Sequence, residues 1–285
     1  MAKSRRSILI TGCSRDGIGD ALAQQFHAQG LQVFATSRTL QSMEHLAAMG
    51  ITTLALDVTD RNAIQDVKTQ ISEITGGKLD ILVNNAGQDL SLAAVDYNMS
   101  DVRALFEVNV FAVMTMVQEF VPLLIASGDG RILQIGSVAS IMPVPFDSAY
   151  SATKAALLAY SNTLRVELAP FKIKVITVQT GGVKSNVIKM QRIPDSSLYE
   201  PIQEEFQARR LGNVQDVEDT AVYAKTVVKE VLSKSPSPVI WAGNHSWTCW
   251  LMDTFFPRTI WDTILPKMYG LSALAGLLAI KSKDI

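Results

Sequence analysis

Along residues 6–180 the chain alternates between short, nearly unbroken apolar runs and longer segments whose apolar positions recur at helical spacing. The runs are RSILITG (6–12), LQVFATS (31–37), ITTLALD (51–57), LDILVNN (79–85), RILQIGS (131–137, closing on Ser137) and KIKVITVQT (172–180). They are near-continuous rather than alternating, which is the pattern of parallel strands covered on both faces. Helical patterns fill 18–29, 60–75, 100–127 and 148–169. This alternation predicts an α/β fold with a doubly wound parallel sheet, as a single domain. The core of that domain is residues 6–185.

After residue 185 the alternation stops. Residues 186–213 are polar, mixed and Pro-containing, and a helix resumes near Asp216. In an open α/β sheet ligands sit beyond the carboxyl ends of the strands, so an irregular insert after a late strand reads as a substrate lid. A plain surface loop is the alternative. Residues 241–285 form an apolar extension that holds all four tryptophans, Trp241, Trp247, Trp250 and Trp261.

Composition narrows the class. The 285 residues carry 26 basic and 27 acidic side chains and are 48% hydrophobic, with no linker or charge run to divide them. That supports one full-sized core and gives no electrostatic reason to expect nucleic acid as a partner. Cys13 and Cys249 stand far apart and read as free thiols in a reducing, cytoplasmic setting. The N-terminal MAKSRRSILI lacks the apolar run of a secretory leader. The late run GLSALAGLLAI (270–280) is shorter than the roughly 20 residues that cross a bilayer, so no spanning helix is expected. His27, His45 and His245 are scattered without zinc-like spacing, and no metal is expected.

The first apolar run leads through Gly12, Gly17 and Gly19 into a helical pattern. Glycines there let the backbone turn tightly beside a pyrophosphate at the helix N-terminus, the Rossmann-type arrangement. Ser14, Arg15 and Ile18 belong to the same turn. The second run ends VFATSR, without the acid that normally accepts from the ribose hydroxyls of NAD. Arg38 stands there instead, beside Ser37, and a guanidinium suits a 2′-phosphate. Arg15 adds a second positive charge. NADPH/NADP+ is therefore the expected cofactor.

Tyr150 and Lys154 are four residues apart on a helical pattern and project from one face, while Ser137 closes a strand at the carboxyl edge. A lysine ammonium beside a phenol is expected to lower the phenol's pKa and make it a usable acid–base group. The serine hydroxyl can hold a carbonyl oxygen while hydride arrives from a nicotinamide. Asn109 lies inside an apolar helical pattern, where an amide calls for a dedicated partner.

These motifs together resemble the short-chain dehydrogenase/reductase family, strongly over residues 6–185. Its glycine motif looks like TGCSRDGIG, its adenine-contacting acid like Asp57, followed by Val58, and its NNAG element is intact as Asn84–Gly87 with Asn85, Ala86 and Gly87 at the cofactor. The resemblance implies a catalytic set of Asn109, Ser137, Tyr150 and Lys154. Two departures stand out. Four residues, not three, separate Gly12 from Gly17, and the element after the sixth strand reads TGGVKS, with Thr180 for proline and Ser185 for threonine. Gly182, Val183 and Ser185 remain as its expected cofactor contacts.

Within the family, TGCS, SVAS and VIWAGNHSW most resemble fungal 1-acyldihydroxyacetone-phosphate reductase-like proteins, and GCS and ATSR also resemble NADPH-dependent 17β-hydroxysteroid dehydrogenases. Either likeness implies an oxidoreductase for a ketone or secondary alcohol on a lipophilic molecule. Terpenoid and polyketide substrates of secondary metabolism stay open. So does a non-catalytic NADP(H)-binding sensor or scaffold, although binding alone does not require the acid–base pair. An acyl phosphate would need a cation, and Lys184, Lys189, Arg192, Arg209 and Arg210 are candidates. The aromatic extension reads equally as a pocket roof, a subunit contact, or a peripheral membrane contact on endoplasmic reticulum or lipid droplets. The long helices 100–127 and 148–169 are where this family commonly forms dimers or tetramers.

Overall fold

The computed structural model of the protein describes residues 5–186 and 192–281. Residues 187–191 of the expected lid, Lys189 included, lie outside the described residues. In chain order the strands are β1 Ser7–Thr11, β2 Gln32–Ser37, β3 Thr52–Ala55, β4 Ile81–Asn84, β5 Arg131–Ile135, β6 Lys174–Thr180 and β7 Val239–Ala242. The helices are α1 Ile18–Ala28, α2 Glu44–Ala48, α3 Arg61–Thr75, α4 Met99–Phe106, α5 Ala112–Ser127, α6 Ser148–Leu168, α7 Gln203–Gln215, α8 Thr220–Val231, α9 Ser246–Phe255, α10 Trp261–Met268 and α11 Leu271–Lys281.

All seven strands form one parallel sheet in the order β3-β2-β1-β4-β5-β6-β7. The order reverses between β1 and β4, whose register pairs Ile8 with Ile81. A crevice opens at such a reversal, beyond the carboxyl ends of the strands. The near-continuous runs are explained by two cores. Ile8 and Ile10 face one side with residues of α1 and α8, and Leu9 faces the other with residues of α3, α5 and α6. Asp60 caps α3 by accepting from the amides of Asn62 and Ala63. Glu119 on α5 receives Arg61, Gln65 and Lys68 of α3 and ties the two helices together.

Two expectations change. The helix expected over 100–127 is broken by a π turn at Glu107–Phe111, and the insert after residue 185 is not irregular throughout, because α7 lies within it. The stretch Met99–Ser127 is, at 29 residues, long and apolar enough to cross a bilayer by length and composition. It nevertheless buries Met116, Val117, Phe120 and Leu124 against the sheet, as a core helix does.

The C-terminal extension is built into the fold. It begins with β7, which pairs with β6 through Thr177 and Val239. Farther on, Trp261, Leu265, Tyr269 and Leu274 pack with Ile202 and Phe206 of the insert and with Phe146 in a separate apolar cluster. Lid and extension thus form one cap over the carboxyl edge of the sheet.

Candidate active site

The turn from β1 to α1 needs its glycines for two different reasons. Gly12 has φ +74°, and a Cβ on it would approach Ala86 Cα to 2.8 Å. A Cβ on Gly19 would lie 2.5 Å from Asn85 Nδ2. Asn85 explains the crowding, since its Nδ2 donates to the carbonyls of Thr11 and Gly12 at 2.8 and 3.0 Å. Thr11 Oγ1 in turn accepts from the amides of Asn85 and Ala86, both at 3.0 Å. The ends of β1 and β4 are stitched together there.

The extra residue in this turn is absorbed at Asp16, which takes φ +63° and donates its amide to Asp20 Oδ2 at 2.8 Å. Aspartate tolerates the left-handed region better than most residues. Asp20 is buried and also contacts His45 Nε2 at 2.8 Å. The lengthened turn leaves Gly12, Ser14, Gly17 and Ile18 on the cavity wall. Arg15 and Gly19 are not on it. Arg15 is exposed; its amide is held by the Ser42 carbonyl (3.1 Å) and its carbonyl by Asn186 Nδ2 (2.7 Å). Gly19 allows the helix to pack closely against the turn.

Beyond β2, Arg38 is exposed and lines the same cavity. The hydroxyls of Ser37 and Ser42 share a 2.6 Å hydrogen bond, and both reach the Thr39 carbonyl, at 2.7 and 2.8 Å. The turn presenting Arg38 is thereby fixed. Asp57 accepts from the amide and hydroxyl of Thr59 at 2.9 and 2.7 Å. Those bonds, with the Arg38 guanidinium adding to them, hold its carboxyl below the usual range. Val58, Asn85, Ala86, Gly87, Gly182, Val183 and Ser185 all line the cavity. Thr180, which replaces the family's proline, is bound at 2.8 Å to the Tyr223 hydroxyl. The residues present fit a dinucleotide: a glycine cradle too tight for any side chain, and a guanidinium at the ribose end.

At the other end, Ser137 Oγ accepts from the Ala139 amide at 3.1 Å, capping a short helical turn after β5. Lys154 is buried, donates to the Ile135 carbonyl at 2.9 Å, and lies 5.6 Å from the centre of the Tyr150 ring. Burial lowers its pKa to about 8. The expectation that this lysine lowers the Tyr150 pKa is corrected. Burial pushes the phenol up, the carboxyls of Asp89 and Asp147 push the same way, and a hydrogen bond with Ser137 only partly opposes them. Tyr150 is thus held protonated, the form that donates to a carbonyl oxygen.

A pH dependence follows. Because the Tyr150 pKa is raised, its donor form persists as pH rises, and the first losses are the protons of Lys154 and of the Asp147 carboxyl, both near pH 8. Turnover is expected to stay level through neutrality and to fall above about pH 8, and Lys154→Arg should move that fall upward because a guanidinium keeps its proton. Steady-state rates across pH for both proteins check this. An unchanged profile in Lys154→Arg would contradict it.

Asn109 does not line the cavity. The π turn buries it, and π bulges are frequent at functional sites. Its amide pairs with the backbone of Gln88, accepting at 2.8 Å and donating at 2.9 Å, and donates to Thr153 Oγ1 at 3.1 Å. Thr153 Oγ1 donates to the Tyr150 carbonyl at 2.7 Å. Asn109 therefore positions both the loop after β4 and the turn of α6 that carries Tyr150.

Sequence reasoning missed a buried polar cluster beside Tyr150. Arg210 Nη2 lies 3.0 Å from Asp89 Oδ2, and Nη1 lies 3.5 Å from Asp147 Oδ1. Ser91 Oγ donates to Asp147 and accepts from Arg210. The Asp147 carboxyl is pushed up to about 8 by burial and then by Asp89, with Arg210 opposing. Two signals were present: Asp89 follows NNAG by two residues, and Asp147 precedes Tyr150 by three.

The whole site is one cavity of about 1130 Å³ running from Arg38 to Tyr269. Its cofactor half is bounded by the turns after β1, β2 and β4. Its other half is closed by Met142, Val144, Met252, Trp261, Ile264 and Leu265. Trp261 is thus a roof residue, whereas Trp247 is 67% exposed. Among the described residues no group of three His, Cys, Asp or Glu side chains is arranged to hold a metal ion.

Known proteins resemble this chain in sequence and fold. The family model described as short chain dehydrogenase matches residues 6–195. The short-chain dehydrogenase fogD of Aspergillus ruber is 39% identical over 283 residues, covering 98% of this chain and 99% of its own. The NADPH-dependent 1-acyldihydroxyacetone phosphate reductase of Schizosaccharomyces pombe is 42% identical over 206 residues, 70% of this chain and 69% of its own. Among solved structures, a short-chain dehydrogenase from Streptomyces avermitilis aligns with TM-score 0.76 at 27% identity, over 99% of this chain and 98% of that one. With a glycine turn at a strand-order reversal and Ser137, Tyr150 and Lys154 gathered at its open edge, the chain belongs to the short-chain dehydrogenase family.

Proposed function

We propose that the protein is an NADP(H)-dependent ketoreductase acting on a large, neutral, lipophilic ketone. The observation that carries this reading is the meeting of Ser137 and Tyr150 with an apolar wall of Met142, Val144, Met252, Trp261, Ile264 and Leu265 in one cavity. Bound NADPH would supply the hydride, so that ketone, NADPH and a proton become alcohol and NADP+. Arg38 would hold the 2′-phosphate, and the glycine turn would hold the pyrophosphate at the N-terminus of α1. Ser137 would hold the carbonyl oxygen. Tyr150 would give it the proton, and Lys154, hydrogen-bonded to Ile135 at the cavity edge, would support that transfer. The NADPH dependence of the S. pombe relative supports the choice of cofactor.

A second reading, an acyldihydroxyacetone phosphate as substrate, has one observation in its favour. Arg209 lines the cavity over the Tyr269 ring at 5.3 Å, and its buried Nε has no hydrogen-bond partner among the described residues. The other cations of the insert offer less. Arg210 is taken by two carboxyls, Arg192 pairs with Asp195 at 3.0 Å, and Lys184 is exposed. Turnover of neutral polycyclic ketones beside an acyldihydroxyacetone phosphate separates the two, with Arg209→Gln as the second arm. The neutral reading expects the variant's KM to stay within about twofold. An acyl phosphate bound through Arg209 would lose about tenfold or more, as charge-assisted bonds do.

The extension also supports a peripheral membrane contact. Trp247 and Phe255 are 67% and 66% exposed on α9, whose Thr248, Cys249 and Met252 line the cavity. Loss of vesicle co-sedimentation in a Trp247→Ser/Phe255→Ser double variant is the expected result; no binding by the wild type would end this proposal.

A further inference from the structure

We infer that Arg210 is a positioning residue for substrate: it latches the lid helix α7 to Asp89, Ser91 and Asp147 on the two loops that flank Tyr150. This rests on the ketoreductase reading and concerns the same site.

Among the described side chains of α7 only Phe206 and Arg210 are buried. They are four residues apart and so lie on one face of the helix. Each anchors that face differently. Phe206 meets Phe146 edge-on, with ring centres 4.9 Å apart. Arg210, 4% exposed, reaches Asp89 at 3.0 Å and Asp147 at 3.5 Å and bonds Ser91. The two anchors therefore converge on neighbours in sequence, Phe146 and Asp147, at the start of α6.

That segment is held under strain. Phe146 has φ +67°, a conformation that a bulky side chain rarely takes unless its surroundings impose it. Tyr199, Phe206 and Tyr269 surround its ring, with centres 5.4, 4.9 and 6.4 Å away. Four residues later comes Tyr150. Closing α7 onto Phe146 and Asp147 thus both roofs the cavity and fixes the entry of the catalytic helix. A cluster of two carboxyls and one guanidinium, all lining the cavity, suits a latch better than a phosphate site, because the cation is already engaged.

The test compares wild type, Arg210→Gln and Arg210→Lys, each saturated with NADPH. Three quantities are read: KM and kcat for the best ketone, NADPH Kd, and amide hydrogen exchange across 203–215. Breaking a buried charge pair should raise KM about tenfold or more and speed exchange of α7 at least as much, with kcat and NADPH Kd changed by less than about threefold. Arg210→Lys should recover part of both losses. Should Arg210→Gln misfold, Asp89→Asn cuts the same latch from the other side and should reproduce the KM and exchange effects in milder form. Unchanged KM with wild-type protection of α7 would overturn the inference. So would a loss confined to kcat or to Tm. If the wild type turns over no ketone, the ketoreductase reading fails, and the exchange of α7 in the NADPH-bound protein still decides whether Arg210 holds the lid.

Discussion

Tyr150→Phe is expected to lower reductive kcat by about 10³-fold while leaving the NADPH Kd within about twofold. The substitution removes one oxygen and little else. The phenol interacts with Ser137 and feels the carboxyls of Asp89 and Asp147, and it takes no part in the glycine turn or the Arg38 turn. A factor of 10³ corresponds to about 4 kcal/mol of transition-state stabilisation, within the ordinary range for a positioned acid. Fluorescence titration with NADPH and single-turnover rates on the same preparation separate binding from chemistry. Residual turnover above about a tenth of wild type would mean that the proton comes from another donor, and Asp147, with its carboxyl raised to about 8, is the nearest rival. A non-catalytic sensor would lose nothing in Tyr150→Phe, having no turnover to lose.

Arg38→Asp should reverse the cofactor preference. A guanidinium on a phosphate contributes about 1.5–3 kcal/mol, and an acid in its place repels the phosphate while accepting from ribose hydroxyls. The ratio of kcat/KM for NADPH over NADH should fall by about 100-fold or more. The turn around Arg38 should survive, because its shape rests on Ser37, Thr39 and Ser42 and not on the guanidinium. Unchanged discrimination would show that the 2′-phosphate is read elsewhere, and Arg15, exposed and off the cavity wall, would need to swing inward to do so.

The layout of the sheet was legible because buried parallel strands leave near-continuous apolar runs, and the six runs found in sequence became β1 to β6. β7 escaped because VIWA is only four residues long and sits in a region read as aromatic extension. The π turn escaped for a different reason: Asn109 in an apolar helix signals a buried partner but not that the helix must widen to deliver it. That Ser137, Tyr150 and Lys154 face one cavity was legible from their spacing and from the glycine turn before them, since a strand end and a helical i, i+4 pair fix direction. Proton affinity was not. The lysine is local, and its effect can be guessed from the sequence. The opposing influences, burial, Asp89 and Asp147, are assembled by distant segments. The same holds for Arg210, whose partners lie 121 and 119 residues away at Asp89 and Ser91.

In the proposed reaction, hydride passes from NADPH to a ketone carbon in this cavity while Tyr150 supplies the proton. The direct measurement uses NADPH deuterated at its nicotinamide, the purified protein and a panel of neutral polycyclic ketones, with mass spectrometry of the product alcohol. Deuterium on the carbinol carbon in the wild type, and no product in Tyr150→Phe despite retained NADPH binding, is the predicted result. An alcohol free of deuterium, or NADPH bound tightly with no ketone consumed, would contradict it.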